Sequence, residues 1–359
     1  MAAKGRKLRS GYTTGACAAA AAKAAAKALF SGGCPDQVEI PFPDGSRVRF
    51  KVARCEIRHE EAEAAIIKDA GDDPDVTNGA EIVAVVGSMC GCGSEPVEIR
   101  AGKGVGKITK PGLALEVGQD AINPVPRKMI KEAVEEVLGL QKKRQDVIVF
   151  ISVPNGEELA KKTLNKRLGI IGGLSILGTT GIVRPVSADA WTATIAASMS
   201  VARKAGLNEI VISTGRTSEA AVQKKLSLPE EAYAMMGDYL EFSLHEAAKQ
   251  GFAKIHLAAM WAKVLKGAMQ VPQTHVRHGA LEIDAAITFL GTLGLDEEVL
   301  ASLRGSNTAR EIYVRLLDQD RDDMIKKVCL AAQAYGHKVS GLPVTVSLVD
   351  GRGKLVLTV

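Results

Sequence analysis

Four aspartates fall within seven positions, Asp69, Asp72, Asp73 and Asp75, inside the run KDAGDDPDVTNG (68–79). Crowded carboxylates repel one another unless something positive answers them. A bound cation, a ribose or an ammonium group is the chemistry they suit, with Thr77 and Asn78 adding polar contacts. The EF-hand spacing and its closing Glu are missing. The composition also suits a solvated acidic turn, because Asp, Pro, Asn and Gly are turn formers.

A second constellation is Ser10-Gly11-Tyr12-Thr13-Thr14-Gly15, which opens an alanine-rich stretch. A helix beginning here offers unpaired N–H groups and a positive dipole end. With glycine admitting close approach, that is either an anion cradle for phosphate or carboxylate or a plain N-cap. A third is the run from Gly169 to Pro185, with five glycines and the adjacent Thr179 and Thr180. Gly172, Gly173, Ser175 and Gly181 could let a ligand approach, and Arg184 could pair a carboxylate. The alternative is close packing between backbone segments. Ser213-Thr214-Gly215-Arg216-Thr217 follows the apolar run EIVIS, the position where open α/β sheets hold ligands. Met236-Gly237-Asp238 could be a further loop in the same crevice, or a turn linking helices.

Other patterns carry less. Gly102-Lys103-Gly104-Val105-Gly106 lacks the helix that a dinucleotide fingerprint needs after it. His275-x-x-His278-x-x-x-Glu282 has helical spacing but no third cluster to complete a metal site. Cys90-Gly91-Cys92 reads as free thiols in a glycine turn. Neither a nucleophile elbow nor a P-loop is present.

The elements that must position these residues come from a chain of 359 residues, 46% hydrophobic and 24% charged. That is ordinary globular usage, about two domains in length. It excludes wholesale disorder and contains no run approaching a membrane helix. A net charge of +5 favours acidic small molecules over bulk nucleic acid, and 4% aromatics supply few stacking platforms for single strands. Six sparse cysteines without a CxxC pair point to a reducing, cytoplasmic setting. Lys4, Arg6, Lys7 and Arg9 before the alanines superficially resemble a targeting peptide, but Lys23 and Lys27 interrupt the tract, which reads as a structural helix.

That helix spans about residues 15–30, ended by Gly32, Gly33 and Pro35. Short strands follow near 38–40, 47–53, 62–68, 81–86 and 97–100, then a helix over 126–138. The run VIVFISV (147–153) is apolar throughout, as in a strand buried on both faces. A helix over 157–168 and alternating strands and helices from 188 onward predict a parallel sheet covered on both faces. The fold class is therefore α/β in two domains, an α+β domain (1–144) and a Rossmann-like domain (145–295), with C-terminal helices and terminal strands (296–359) packing on them. The strands 344–349 and 355–359 read as a hairpin about Asp350-Gly351.

Six segments together resemble the CbiD family, the cobalt-precorrin-5B C1-methyltransferases of anaerobic cobalamin biosynthesis. They are LRSGYTTGACAAAAAKAA (8–25), KDAGDDPDVTNG (68–79), GKGVGKITKPGL (102–113), AINPVPRKMI (121–130), the whole stretch 152–187 and ISTGRTSE (212–219). The resemblance runs from about residue 8 to 290. Thr274-His275 also matches. The family's glycine-histidine-proline turn does not: this chain has Ala259-Met260-Trp261-Ala262-Lys263 there.

The resemblance implies methyl transfer from S-adenosylmethionine to ring carbon 1 of cobalt-precorrin-5B. It also implies two domains, one α+β and one Rossmann-like. The substrate is a tetrapyrrole fringed with carboxylates, and it carries the cobalt, so no protein-bound metal is expected. Tyr12, Thr13, Thr14, Gly15, Gly172, Gly173, Ser175, Thr179, Thr180, Gly181, Arg184, Thr214, Gly215, Thr274 and His275 are then the substrate-binding candidates. Charge complementarity assigns Asp69, Asp72, Asp73, Asp75, Thr77 and Asn78 to the cofactor. No catalytic side chain is assigned, no nucleic acid or membrane partner is expected, and a homo-oligomer is left open. The rivals are a nucleotide-dependent phosphoryl-transfer enzyme, motivated by the glycine loops, and an RNA-binding module, motivated by the basic N-terminus.

Overall fold

The computed structural model describes residues 8–89, 95–141, 146–274 and 281–359. His275, His278, Cys90 and Cys92 lie outside the described residues. The chain divides into two compact units, one ending at Ala188 and the other beginning at Asp189.

In the first unit the helix Thr14–Ser31 forms because alanine has the best helix propensity, and Gly32 closes it in the left-handed region at φ 70°. Most of this helix is buried, since one-carbon side chains let neighbours approach on every side. Its neighbours are the helix Pro124–Leu138 and a five-stranded sheet ordered Arg54–Arg58, Glu61–Ile67, Glu81–Met89, Asp146–Ser152, Val97–Ala101. The one long side chain buried within the helix, Lys23, is answered by the Glu136 carboxylate and the Glu39 carbonyl.

The strand Asp146–Ser152 corrects the expected boundary near residue 145. It pairs antiparallel with Glu81–Met89 and parallel with Val97–Ala101, inside the first unit's sheet. Its continuous apolar run gives burial but no direction, so sequence alone could not say which sheet it enters. The helix expected over 157–168 is only Gly156–Ala160, with turns after it.

The second unit carries the expected parallel sheet. Its order is Tyr233–Met235, Glu209–Ser213, Lys254–Met260, Val344–Val349, Leu355–Thr358. The first four strands are parallel and the last runs antiparallel to its neighbour. The two terminal strands complete this sheet. Both faces are covered. Ile210 and Ile212 face one core with Leu257 and Val346, while Val211 faces a second with Val222 and Tyr233. This is the period of two that a strand imposes. Among the described residues no helix is long and apolar enough to cross a membrane.

Candidate functional site

Three segments far apart in sequence meet in the first unit. Gly11 and Tyr12 pair antiparallel with Val183 and Ile182. The Tyr12 N–H donates to the Asp69 carbonyl at 2.7 Å and the Thr13 N–H to the Gly181 carbonyl at 3.0 Å. Thr14 Oγ1 accepts from the Leu177 N–H at 3.0 Å and lies 3.2 Å from its carbonyl. The sequence-nominated stretches 12–15, 69–78 and 177–184 thus form one surface.

The helix N-terminus is already occupied from within. The Gly15 N–H donates to the Leu177 carbonyl and the Ala16 N–H to Thr13 Oγ1. Thr13 and Thr14 are buried. The anion-cradle expectation at this end gives way to a cap that pins the 177–181 segment. Gly15 is required there because a Cβ would overlap the ring of Pro126. The half-buried Tyr12 packs its ring 4.6 Å from that of Phe50.

Two of the aspartates, Asp69 and Asp75, find positive partners inside the chain. Arg9 grips Asp69 through Nη1 and Nη2 at 2.5 and 2.8 Å. That pairing, with the Gly71 N–H, holds the Asp69 carboxyl down at about 2. Asp72 accepts from the Arg9 N–H at 2.7 Å, and Asp73 from the Val186 N–H at 2.8 Å. The buried Lys68 donates to Asp75 at 2.7 Å, and Thr77 donates to it through both N–H and hydroxyl. Burial would raise the Asp75 carboxyl, but these hydrogen bonds outweigh it and hold it below the usual range. Asn78 Oδ1 accepts from the Ala70 N–H at 2.9 Å. Two of the four charges, Asp69 and Asp75, are answered by cations of the chain, and Asp72 and Asp73 are held by backbone N–H groups alone. Sequence reasoning missed Arg9 and Lys68 as the counter-charges; the signal was Lys68 immediately before the acids.

What stays open to a ligand on this surface is Thr179, Thr180 and Arg184, all exposed. Arg184 makes no hydrogen bond or ion pair among the described residues, whereas Thr180 Oγ1 caps the Ile182 N–H at 3.2 Å. Gly173 serves packing: a Cβ on it would land on the Gly104 carbonyl, and the Leu174 N–H donates to that same carbonyl at 2.9 Å. Gly156 meets Gly104 in the same way. The glycine runs near 104 and 173 hold one another rather than a phosphate, which removes the motive for the phosphoryl-transfer rival. Gly172 is exposed in open space, Ser175 half-buried, and Gly181 (φ 83°) faces the Phe42 ring.

In the second unit the nominated loops sit where strands end. Ser213, Thr214 and Gly215 link the strand Glu209–Ser213 to the helix Arg216–Leu226. Ser213 Oγ donates to the buried Glu219 at 3.2 Å. Asp238 follows the adjacent strand, and its carboxylate meets Lys263 and accepts from Thr274 Oγ1 at 3.2 Å. Lys263 and the buried Lys266 both donate to the Thr274 carbonyl, at 2.8 and 3.1 Å. Burial, then Lys263, pushes the Lys266 ammonium below its ordinary pKa. Thr214, Gly215 and Thr274 therefore belong to this unit. Sequence reasoning passed over Lys266.

The family described as CbiD matches residues 1–185, and the family described as CbiD, C-terminal domain, matches residues 273–359. A cobalt-precorrin-5B C(1)-methyltransferase of Desulfotalea psychrophila is 55% identical over 98% of both chains. One from Geotalea daltonii is 45% identical, again over 98% of both. A crystal structure titled as a cobalamin biosynthesis protein (cbiD) from Archaeoglobus fulgidus covers 87% of this chain and 85% of its own, at 26% identity and a TM-score of 0.40. The two matched families and the near-full-length identity lead to one conclusion: the chain belongs to the CbiD family.

Proposed function

We propose that this protein methylates ring carbon 1 of cobalt-precorrin-5B in cobalamin biosynthesis, with S-adenosylmethionine as donor. The observation that carries the reading is 55% identity, across 98% of both chains, to a relative named for that reaction. When bound, the donor supplies a methyl group already activated as a sulfonium. The chain's task is then to hold the acceptor carbon in line with that methyl, which positioning alone can accomplish.

The tetrapyrrole's acetate and propionate groups call for donors and cations. Thr179, Thr180 and the unpaired Arg184 stand exposed together for that role. Thr13, Thr14 and Gly15 support them from below by fixing Leu177 and Gly181. The cobalt belongs to the substrate. Incubation with cobalt-precorrin-5B and methyl-labelled cofactor tests the reading: one labelled methyl on the product supports it, and an unlabelled corrinoid refutes it.

A further inference from the structure

Among the described residues, five other than glycine have a positive φ, and Val186 is the only β-branched one, at φ 56°. For a β-branched side chain that conformation is a genuine outlier. The run before it meets the same demand differently. Gly169, Gly172, Gly178 and Gly181 occupy its left-handed positions, where glycine carries no steric cost. At 186 the chain keeps an isopropyl group instead and leaves it 52% exposed. A half-exposed valine adds little to a core, so packing does not explain the exception. Strain of this kind persists where neighbours over-determine it, and it gathers at ligand clamps.

One side chain holds the residue there. Asp73 accepts the Val186 N–H at 2.8 Å across 113 residues of sequence, and among the described residues its carboxylate makes no other hydrogen bond or ion pair. A hydrogen bond to a carboxylate is stronger than one between neutral groups, and here it opposes the backbone penalty. The other aspartates of the loop are engaged elsewhere: Asp69 by the Arg9 guanidinium, Asp72 by the Arg9 N–H, and Asp75 by Lys68 and Thr77. Arg184 lies two residues before Val186, exposed and without a hydrogen bond or ion pair among the described residues. Pro185 between them has its own φ fixed by its ring. Pinning the 186 N–H therefore sets this short turn against the aspartate loop, with a free guanidinium and an open apolar group on it.

We infer that Val186 is a further contact for the corrinoid and that Asp73 is its positioning residue: the carboxylate holds the turn 184–186 so that Val186 meets the apolar ring system while Arg184 pairs a carboxylate arm. The inference rests on the methyltransferase reading and takes Asp73 away from the cofactor. A tetrapyrrole offers both surfaces at once. Its ring edge gains from covering an exposed apolar group, and its arms from a guanidinium.

The test is steady-state kinetics of the full chain with cobalt-precorrin-5B and S-adenosylmethionine, each varied in turn, with circular dichroism and thermal melts on every variant. Asp73→Ala removes the acceptor. It is expected to raise KM for the corrinoid about tenfold, the worth of one hydrogen bond, with kcat and KM for S-adenosylmethionine within about twofold. Asp73→Asn keeps an acceptor oxygen and is expected to stay within about threefold of the parent KM. Val186→Gly removes side chain and strain together: KM for the corrinoid is expected to rise about fivefold, while the melting temperature does not fall. Adding Asp73→Ala to Val186→Gly should then cost less than about twofold more, because no strain remains to be opposed. A corrinoid KM at the parent value in folded Asp73→Ala and Val186→Gly overturns the inference. So does a loss confined to the KM for S-adenosylmethionine, or an Asp73→Asn deficit equal to that of Asp73→Ala. The methyltransferase reading survives each of these results. Should Asp73→Ala fail to fold, Val186→Gly and Asp73→Asn decide the matter. A parent protein that transfers no methyl group to the corrinoid overturns both.

Discussion

Lys68 and Asp75 form an ion pair at 2.7 Å with the lysine side chain 1% exposed. Sixty residues from its partner in sequence, Arg9 makes an equally short pair with Asp69 in which both side chains are about half exposed. Two members of one aspartate cluster therefore carry different weight. Replacing Asp75 by Asn strands a buried ammonium and is expected to cost about 3 kcal/mol. The same change at Asp69 is expected to cost under about 1 kcal/mol, because solvent screens it. Urea denaturation of the two variants measures the difference.

Both carboxyls are held below their ordinary values in the folded state. A depressed folded pKa means that the unfolded chain binds protons first as pH falls. The stabilisation is complete above about 4, the unfolded value, and fades as pH drops toward about 2, where Asp69 titrates in the fold. Melting temperature is expected to fall across that window in the parent and to fall less steeply in Asp75→Asn. A parallel decline in both would remove Lys68–Asp75 from the account.

Gly104 sits at φ 73° with the Gly173 and Gly156 backbones against it. Gly173→Ala must separate backbone segments and is expected to destabilise by about 3 kcal/mol. Gly172→Ala, at φ 89° in open space, carries only the left-handed penalty of about 1 kcal/mol. Equal losses at the two neighbours would show that packing is not what Gly173 supplies.

Arg184→Ala is expected to raise KM for the corrinoid about tenfold, as a charge-assisted contact requires, with thermal stability little changed because the side chain is exposed and makes no hydrogen bond or ion pair among the described residues. Arg184→Lys should recover part of the loss. Unchanged KM in the alanine variant would take Arg184 out of substrate binding.

Much of the fold was legible because local chemistry and global position agree. The alanine helix with its glycine stop and the strand EIVIS need no distant information. The strand Asp146–Ser152 was misplaced because an apolar run reports burial without naming the partner. The glycine run 169–185 left ligand approach and backbone packing both open for a related reason. Glycine signals close approach, and only the fold reveals that Gly173 approaches Gly104 rather than a phosphate. At the candidate site, the sequence identified the segments that converge. It did not show that Arg9 and Lys68 pair Asp69 and Asp75 from within, since that depends on pairing across sixty residues in one case and on burial in the other.

The short ladder joining Gly11 and Tyr12 to Val183 and Ile182 has a consequence for synthesis. The N-terminal helix can coil as soon as it leaves the ribosome, but the carbonyls that secure its first turn lie some 165 residues downstream, at Leu177 and Gly181. The growing polypeptide must therefore wait with that end unsecured until half its length has been translated. The surface where these segments meet is completed only once residues 177–183 are available to pair with residues 11–15.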